Sequence, residues 1–190
     1  MRKILVYGAK EFGQVVKNIL SLQGHQFVGF IDDFVQDDFV LTYDEARAKY
    51  PSLTHSIVIA IGYKFMDARW RIYEKVKSDG YKVLSLIHPQ AIVDKSAKIG
   101  DGVIIMAGAI VGYNAEIRDL AVLWQGAVVE HDSVIGENTF LSPSSTVCEF
   151  TIIGRDCFIG AGAVVTDRLK ILDNSFIKAG SVNNVSIRHN

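Results

Sequence analysis

From Ile87 onward an aliphatic residue returns at every sixth position: Ile87, Val93, Ile99, Ile105, Val111, Ile117, Leu123, Val129, Ile135, Leu141, Val147, Ile153, Ile159, Val165, Ile171 and Ile177. The phase one residue earlier is broken by Lys98, Glu116, Thr146 and Lys170. A period of six is neither the 3.6-residue repeat of an α-helix nor the alternation of a simple strand. It predicts a β-helix, in which short strands and turns wind about one apolar column. Three hexads make a triangular coil of 18 residues, coils stack about 4.8 Å apart, and residues i and i+18 share one outer spot.

The other places of the hexad follow rules of their own. With the aliphatic residue as place 1, place 5 is mostly small, from Ala97 through Ala109, Ala127, Ser133, Thr151 and Cys157 to Ser175, with Val103 and Leu169 as exceptions. A narrow coil predicts this, because place 5 points inward where room is short. Glycine often fills place 2 (Gly100, Gly112, Gly136, Gly154, Gly160), where it is expected to relieve the backbone at the turn. Place 6 points outward, yet holds Ile104, Ile110, Val122, Val128, Val134, Phe140, Ile152, Phe158, Val164 and Phe176. That much outward apolar surface predicts a homo-oligomer as its cover.

Residues 1–86 lack the ladder and alternate strands with helices. The pattern predicts strands at Ile4–Tyr7, Phe27–Ile31, Ser56–Ile61 and Tyr81–Leu84. Helices are expected over Phe12–Gln23, from a Thr42 cap through Tyr50, and over Phe65–Ser78, with Gly24 and Gly80 as stops. This is a small parallel sheet of βαβ type, a Rossmann-like α/β domain over 1–86, followed by a repeat domain over 87–190 that ends in a short C-terminal tail.

Composition narrows the function classes. A net charge of −1 without a basic tract argues against nucleic acid as the main partner. No apolar run reaches the length of a membrane span, so no membrane insertion is expected. The segment Met1–Gly8 reads as a first strand rather than a signal peptide, and Cys148 and Cys157 read as free thiols, so a cytoplasmic protein is expected.

Against this scaffold a few residues are out of character. His131 stands at place 3, an outward position, flanked by Glu130 and Asp132. An outward imidazole beside carboxylates suits a general base, because a carboxylate raises its proton affinity and selects the free nitrogen. A solvated surface histidine would look the same. Stacking by 18 adds Tyr113 one coil before and Glu149 one coil after, so Glu130, Asp132 and Glu149 compete for the orienting role. No second histidine stacks with His131, which disfavours a zinc site and leaves no metal expected. In the first domain, the turn Gly8-Ala9-Lys10-Glu11-Phe12-Gly13, the strand end Asp32-Asp33 and the run Ile61-Gly62-Tyr63-Lys64 all fall at carboxyl ends of strands, where parallel sheets collect ligands.

Taken in order, these pieces resemble the sugar-nucleotide acyltransferases that include the bacillosamine- and perosamine-pathway N-acetyltransferases and the sialic-acid O-acetyltransferases. The match spans nearly the whole chain: the GAxxxG loop Gly8–Gly13, Phe30-Ile31-Asp32-Asp33, Ala60-Ile61-Gly62, Leu86-Ile87-His88-Pro89 and, most specifically, Val128-Val129-Glu130-His131-Asp132-Ser133-Val134-Ile135-Gly136. The resemblance implies hexapeptide repeats in a left-handed parallel β-helix, a homotrimer, and acetyl-CoA lying along the β-helix between two subunits. It implies acetylation of a nucleotide-linked amino sugar, of 4-amino-4,6-dideoxy type, for bacterial surface glycans. His131 would be the base, with Asp132 (or Glu130) raising its basicity. Gly8, Lys10, Glu11, Phe12, Asp32, Asp33, Gly62 and Lys64 would hold the nucleotide sugar, and Phe140, Glu149, Ala161 and Ala179 the coenzyme.

The chain also departs from that family. Trp124 stands where Asn is frequent, Phe140 and Phe12 where His is frequent, and Ser181-Val182-Asn183-Asn184 replaces a Pro-containing end segment. A drier pocket for another sugar or a bulkier acyl group is the implied consequence. Sugar O-acetylation and a non-catalytic nucleotide-sugar-binding scaffold are the competing readings.

Overall fold

The computed structural model describes residues 2–35 and 37–185; the expected tail at 186–190 lies outside the described residues. Its contacts divide the chain into two units, Met1–Leu86 and Ile87–Asn190.

The first unit is a five-stranded parallel sheet built from β1 (Lys3–Tyr7), β2 (Gln26–Ile31), β3 (Val40–Leu41), β4 (His55–Ile59) and β5 (Lys82–Val83), in the order β3-β2-β1-β4-β5. Helices α1 (Glu11–Leu22), α2 (Tyr43–Lys49) and α3 (Met66–Ser78) connect them. The middles of the central strands are apolar because both faces are covered: Ile4, Leu5, Val6, Ile57, Val58 and Ile59 are all fully buried. Thr42 caps α2 in a reciprocal box, its hydroxyl accepting from Glu45 N–H while the Glu45 carboxylate accepts from Thr42 N–H at 2.8 Å. Gly24 and Gly80 end their helices at φ 69° and 82°. Two details differ from the sequence expectation. β3 has only two residues, too few for a pattern to register. A 3₁₀ turn, Tyr63–Phe65, precedes α3 where a continuous helix start was expected.

The second unit is a left-handed β-helix. Two-residue strands at places 6 and 1 form three parallel sheets of six, five and six strands. Partners are eighteen residues apart, as in Ile110↔Val128↔Thr146↔Val164. The ladder residues from Ile105 to Ile177 make one buried column with the small place-5 residues. Several of those small residues are polar for a reason. Inside the coil their hydroxyls reach carbonyls of the next coil, Ser133 Oγ to Cys148 O and Thr139 Oγ1 to Gly154 O at 2.8 Å each, and no fully buried hydroxyl among the described residues lacks a partner. The ladder runs one rung further than its aliphatic members, to Val182–Asn183, where the Asn183 carbonyl accepts from Thr166 N–H.

The structure corrects the role of the place-2 glycines. None has a positive φ. The left-handed turn falls at place 4 in every hexad from Gly102 to Gly180, and nine non-glycine residues adopt it, Asn114, Leu120, Asp132, Asn138, Phe150 and Arg168 among them. Place 2 is glycine because the next coil passes too close for a Cβ. One added at Gly100, Gly136, Gly154 or Gly160 would lie 2.4 Å from an atom of the following coil, and one at Gly112 would lie 2.8 Å from His131 N.

The outward apolar stripe is also corrected. On the sheet that starts at Leu86–Ile87, residues Ile104, Val122 and Phe140 are already buried in the single chain, because pointing away from the coil axis is not the same as facing water. Open apolar residues remain on the sheet carrying Ile92 (64% exposed), Ile110 (39%) and Val182 (67%), and at Ile152 and Phe176.

Candidate active site

Within the β-helix, the strand Val128–Val129 delivers Glu130, His131 and Asp132 to one corner of the coil. The eighteen-residue register stacks Tyr113, His131, Glu149 and Asp167 there as one column, and Asn114, Asp132, Phe150 and Arg168 as a second. Asp132 takes the left-handed turn at φ 55°, a conformation Asp tolerates. That turn swings its carboxylate back beside the preceding imidazole, and Asp132 Oδ2 lies 3.0 Å from His131 Nδ1.

Among the three competing carboxylates, Asp132 is thus the one paired with His131. Glu130 is exposed and its side chain makes no hydrogen bond among the described residues. Asn114, from the coil before, donates from Nδ2 to the other oxygen of Asp132 at 2.6 Å. Donors from Asn114 and His131 hold the Asp132 carboxyl below the usual carboxylate range. An ionised Asp132 accepts the Nδ1 proton, which leaves Nε2 as the basic nitrogen, and Nε2 has no partner among the described residues. The imidazole is also braced by an edge-to-face contact with Phe150, with centroids 5.1 Å apart and planes at 89°, while Arg168 sits over the Phe150 ring at 4.5 Å. With 44% of its side chain exposed, His131 remains reachable.

Asn114 escaped the sequence reading. The stacking rule that placed Tyr113 and Glu149 next to His131 would have found it, had it been applied to Asp132 as well.

The coenzyme residues do not converge in one chain. Glu149 shares the corner of His131. Ala161 and Ala179 are exposed on another corner, separated from it by the sheet that carries Ile110 and Val164. Phe140 is 1% exposed and offers no open ring face to a coenzyme, contrary to expectation.

In the first unit, β2, β1 and β4 are adjacent, so the segments after them share one carboxyl edge at the point where the strand order reverses. Gly8 and Gly13 are required there by close approach: a Cβ on Gly8 (φ 114°) would lie 2.4 Å from Ala60 O, and one on Gly13 2.0 Å from Gly8 O. This knot explains the GAxxxG loop and its match to Ala60-Ile61-Gly62 without a ligand. Lys10, Glu11 and Lys64 are exposed at this edge, Phe12 and Gly62 half-buried. The two aspartates divide their work. Asp32 accepts from Ala9 N–H at 3.1 Å and from Phe34 N–H at 3.0 Å, joining the β1 and β2 turns. Asp33 accepts from the Tyr7 hydroxyl and, at 2.7 Å, from Tyr43 N–H, so both its oxygens tie the fold together. Burial and that carboxylate push the Tyr7 hydroxyl far above its ordinary range, which keeps it a donor.

Both units match known protein families. Residues 3–76 match the family described as the PglD N-terminal domain, and residues 96–131 and 132–167 match the bacterial transferase hexapeptide (six repeats). The acetyltransferase domain of PglB from Neisseria gonorrhoeae is 29% identical, with 99% of this chain and 94% of that chain covered at a TM-score of 0.91. PerB from Caulobacter crescentus, solved with CoA and GDP-perosamine, is 27% identical over 98% of this chain and 92% of that one, at a TM-score of 0.88. A histidine-to-alanine variant of the C. crescentus GDP-perosamine N-acetyltransferase, also holding CoA and GDP-perosamine, is 26% identical over 98% and 90% of the two chains, at a TM-score of 0.90. With both of its units matched in order, the chain has the two-part architecture of the sugar N-acetyltransferase family.

Proposed function

We propose that this chain is an acyl-CoA-dependent acyltransferase that N-acetylates a nucleotide-linked amino sugar of 4-amino-4,6-dideoxy type, with His131 as general base. The observation that carries the reading is the His131–Asp132 pair, which leaves Nε2 open on an outward corner. When bound, acetyl-CoA supplies an acyl group activated as a thioester. His131 takes a proton from the sugar amine at Nε2 as the C–N bond forms, and gives it to the departing sulfur as the C–S bond breaks. Asp132 holds the tautomer and stabilises the imidazolium formed in between. The likeness to PglB and PerB supports the acyl donor and the acceptor class.

The chain's own residues fit a slender coenzyme arm. Ala161-Gly162 and Ala179-Gly180 leave exposed backbone on one corner, and a Cβ on either glycine would meet nothing within 4 Å. Because that corner is not the corner of His131, the reading includes a homotrimer, in which one subunit's alanine corner serves another's histidine. Exposed Ile92, Ile110 and Val182 on the intervening sheet are the apolar surface it would cover. The nucleotide sugar is assigned to the carboxyl edge of the first unit, through Gly8, Lys10, Glu11, Phe12, Asp32, Gly62 and Lys64. Asp33 contributes there by shaping the edge. No described helix is long and apolar enough to cross a membrane, and a cytoplasmic location is part of the proposal.

The test is an assay of thiol release and acceptor mass with acetyl-CoA and UDP-, dTDP- or GDP-linked amino sugars, beside sialic acid as a hydroxyl acceptor. Acetylated amine is expected. Transfer to the hydroxyl acceptor alone would replace this reading with O-acetylation, and no acyl-CoA binding by calorimetry would replace it with a scaffold.

A further inference from the structure

We infer that Asn114 is a positioning residue for the proposed transfer: from the coil before His131 it locks the Asp132 carboxylate so that the imidazole presents Nε2. The inference rests on the reading of His131 as the base. Asp132 has two oxygens and the structure uses them separately, Oδ2 toward His131 Nδ1 at 3.0 Å and Oδ1 toward Asn114 Nδ2 at 2.6 Å. Facing a carboxylate, the Asn114 amide must present its NH₂, so the direction of the bond is not ambiguous. Without that anchor a partly exposed carboxylate can rotate toward water, and no other hydrogen bond among the described residues holds the carboxylate.

Asn114 is itself held from the coil before. Its backbone N–H donates to Ser96 Oγ at 2.7 Å, and Ser96 Oγ donates to Asp94 Oδ1 at 2.6 Å. The line Asp94–Ser96–Asn114–Asp132–His131 therefore crosses three coils at one corner. The other ionisable groups at this corner are Lys95, Tyr113, Glu130, Cys148, Glu149, Asp167 and Arg168, and the variants below leave all of them in place. The Asn114 amide donates to Oδ1, the oxygen that His131 does not use, so it acts through Asp132 and not on the acceptor.

The backbone of Asn114 is left-handed, with φ 53°, which suits Gly and Asp as replacements. Asn114→Gly deletes the amide, and Asn114→Asp sets a second carboxylate against Asp132. Asn138→Gly is the control, because Asn138 donates to Asp156 at 2.6 Å in the same way on another corner. For Asn114→Gly, kcat falls about tenfold while KM for acetyl-CoA stays within about twofold. Imidazole ¹⁵N resonances of His131 then report a mixture of tautomers in place of one. For Asn114→Asp, the acid limb of kcat/KM moves up by about one pH unit, and turnover recovers above it. Asn138→Gly lowers the melting temperature and leaves the limb and the tautomer alone. Asn114 variants with the wild-type limb and tautomer would overturn the inference, whatever their rate or melting temperature. An active His131→Ala enzyme would instead remove the base reading, and the resonances would still decide whether Asn114 sets the Asp132–His131 pair.

Discussion

Two corners of the β-helix carry one arrangement of atoms with different third members. At the first, Asn114 donates to Asp132 at 2.6 Å, and Asp132 faces His131 at 3.0 Å. At the second, Asn138 donates to Asp156 at 2.6 Å, and Asp156 accepts from Arg155 Nε at 2.8 Å. Both pairs occupy places 3 and 4 of their hexads, both Asn–Asp steps span eighteen residues, and all four Asn and Asp residues have φ between 53° and 57°. The arrangement therefore recurs at a left-handed turn away from the candidate site, and by itself it does not mark chemistry. What differs is the group it holds. A guanidinium stays protonated, and Asp156 raises its proton affinity further. An imidazole exchanges its proton near neutral pH. The difference teaches that the orienting half of the candidate site is inherited from the fold, and one residue type at place 3 turns it toward catalysis.

The largest effect expected from that contrast is on turnover. His131→Ala should lower kcat by about 10²–10⁴ with the proposed oligomer and acetyl-CoA binding retained, because a positioned base contributes on that order. Arg155→Ala removes a part-buried ion pair that holds no group able to exchange a proton near neutral pH, and should leave kcat within about twofold. Steady-state assays beside light scattering read both variants. A comparable loss in the two would erase the distinction between the corners.

A smaller effect separates packing from chemistry. Gly112 lies one coil before His131 as Gly136 lies one coil before Arg155. A Cβ on Gly112 would meet His131 N at 2.8 Å, and one on Gly136 would meet Gly154 C at 2.4 Å. Both Ala variants overpack a backbone contact, at about 1–3 kcal/mol, and should melt several degrees lower. Only Gly112→Ala also displaces the base, so its kcat should fall about tenfold per folded molecule, while Gly136→Ala keeps its rate. Calorimetry and active-site-normalised kinetics measure the two together.

What the chain disclosed about itself follows the range of each interaction. The ladder was legible because every rung repeats the same demand, an aliphatic residue every six positions, and its neighbours at i+18 followed. The left-handed turn at place 4 was not, because Leu120, Phe150 and Arg168 hide a backbone conformation that glycine alone would advertise. The place-2 glycines were seen but misread, since their reason lies in a chain segment eighteen residues away. At the sheet edge, Asp32 and Asp33 look alike in sequence. Tyr7 and Tyr43, 26 and 10 residues distant, commit Asp33 to the fold, and only coordinates reveal that. Phe140 looked outward by its place in the hexad, and place alone does not determine burial.

The pH dependence of stability sharpens the comparison further. Asp132 has a lowered pKa, chiefly from the Asn114 hydrogen bond and then from His131. A carboxylate depressed in the folded state adds stability above its unfolded pKa, and the contribution disappears as pH falls through the folded value. Asp132→Asn should therefore melt below wild type at neutral pH, and the gap should close as pH drops below the ordinary carboxylate range. Melting curves across that range, with Asp156→Asn alongside, read the effect. A gap that persists unchanged at the acid end would assign the stabilisation to something other than the ionised carboxylate.

The smallest effect concerns the second carboxylate beside the base. Glu130 is adjacent to His131 in sequence, as Asp132 is, but a place-2 side chain leaves the coil without the turn that folds Asp132 back. Its carboxylate is exposed, and the attraction of such a charge for an imidazolium is weakened by water and salt. Glu130→Gln should change kcat by less than about twofold, with a difference that shrinks as salt is added. Asp132→Asn should lose about tenfold or more at every ionic strength, because a hydrogen bond that selects a tautomer is not screened away. If Glu130→Gln proved the more damaging of the two in a salt series, the orienting role would pass to Glu130, and the likeness between the two corners would be a matter of turn geometry alone.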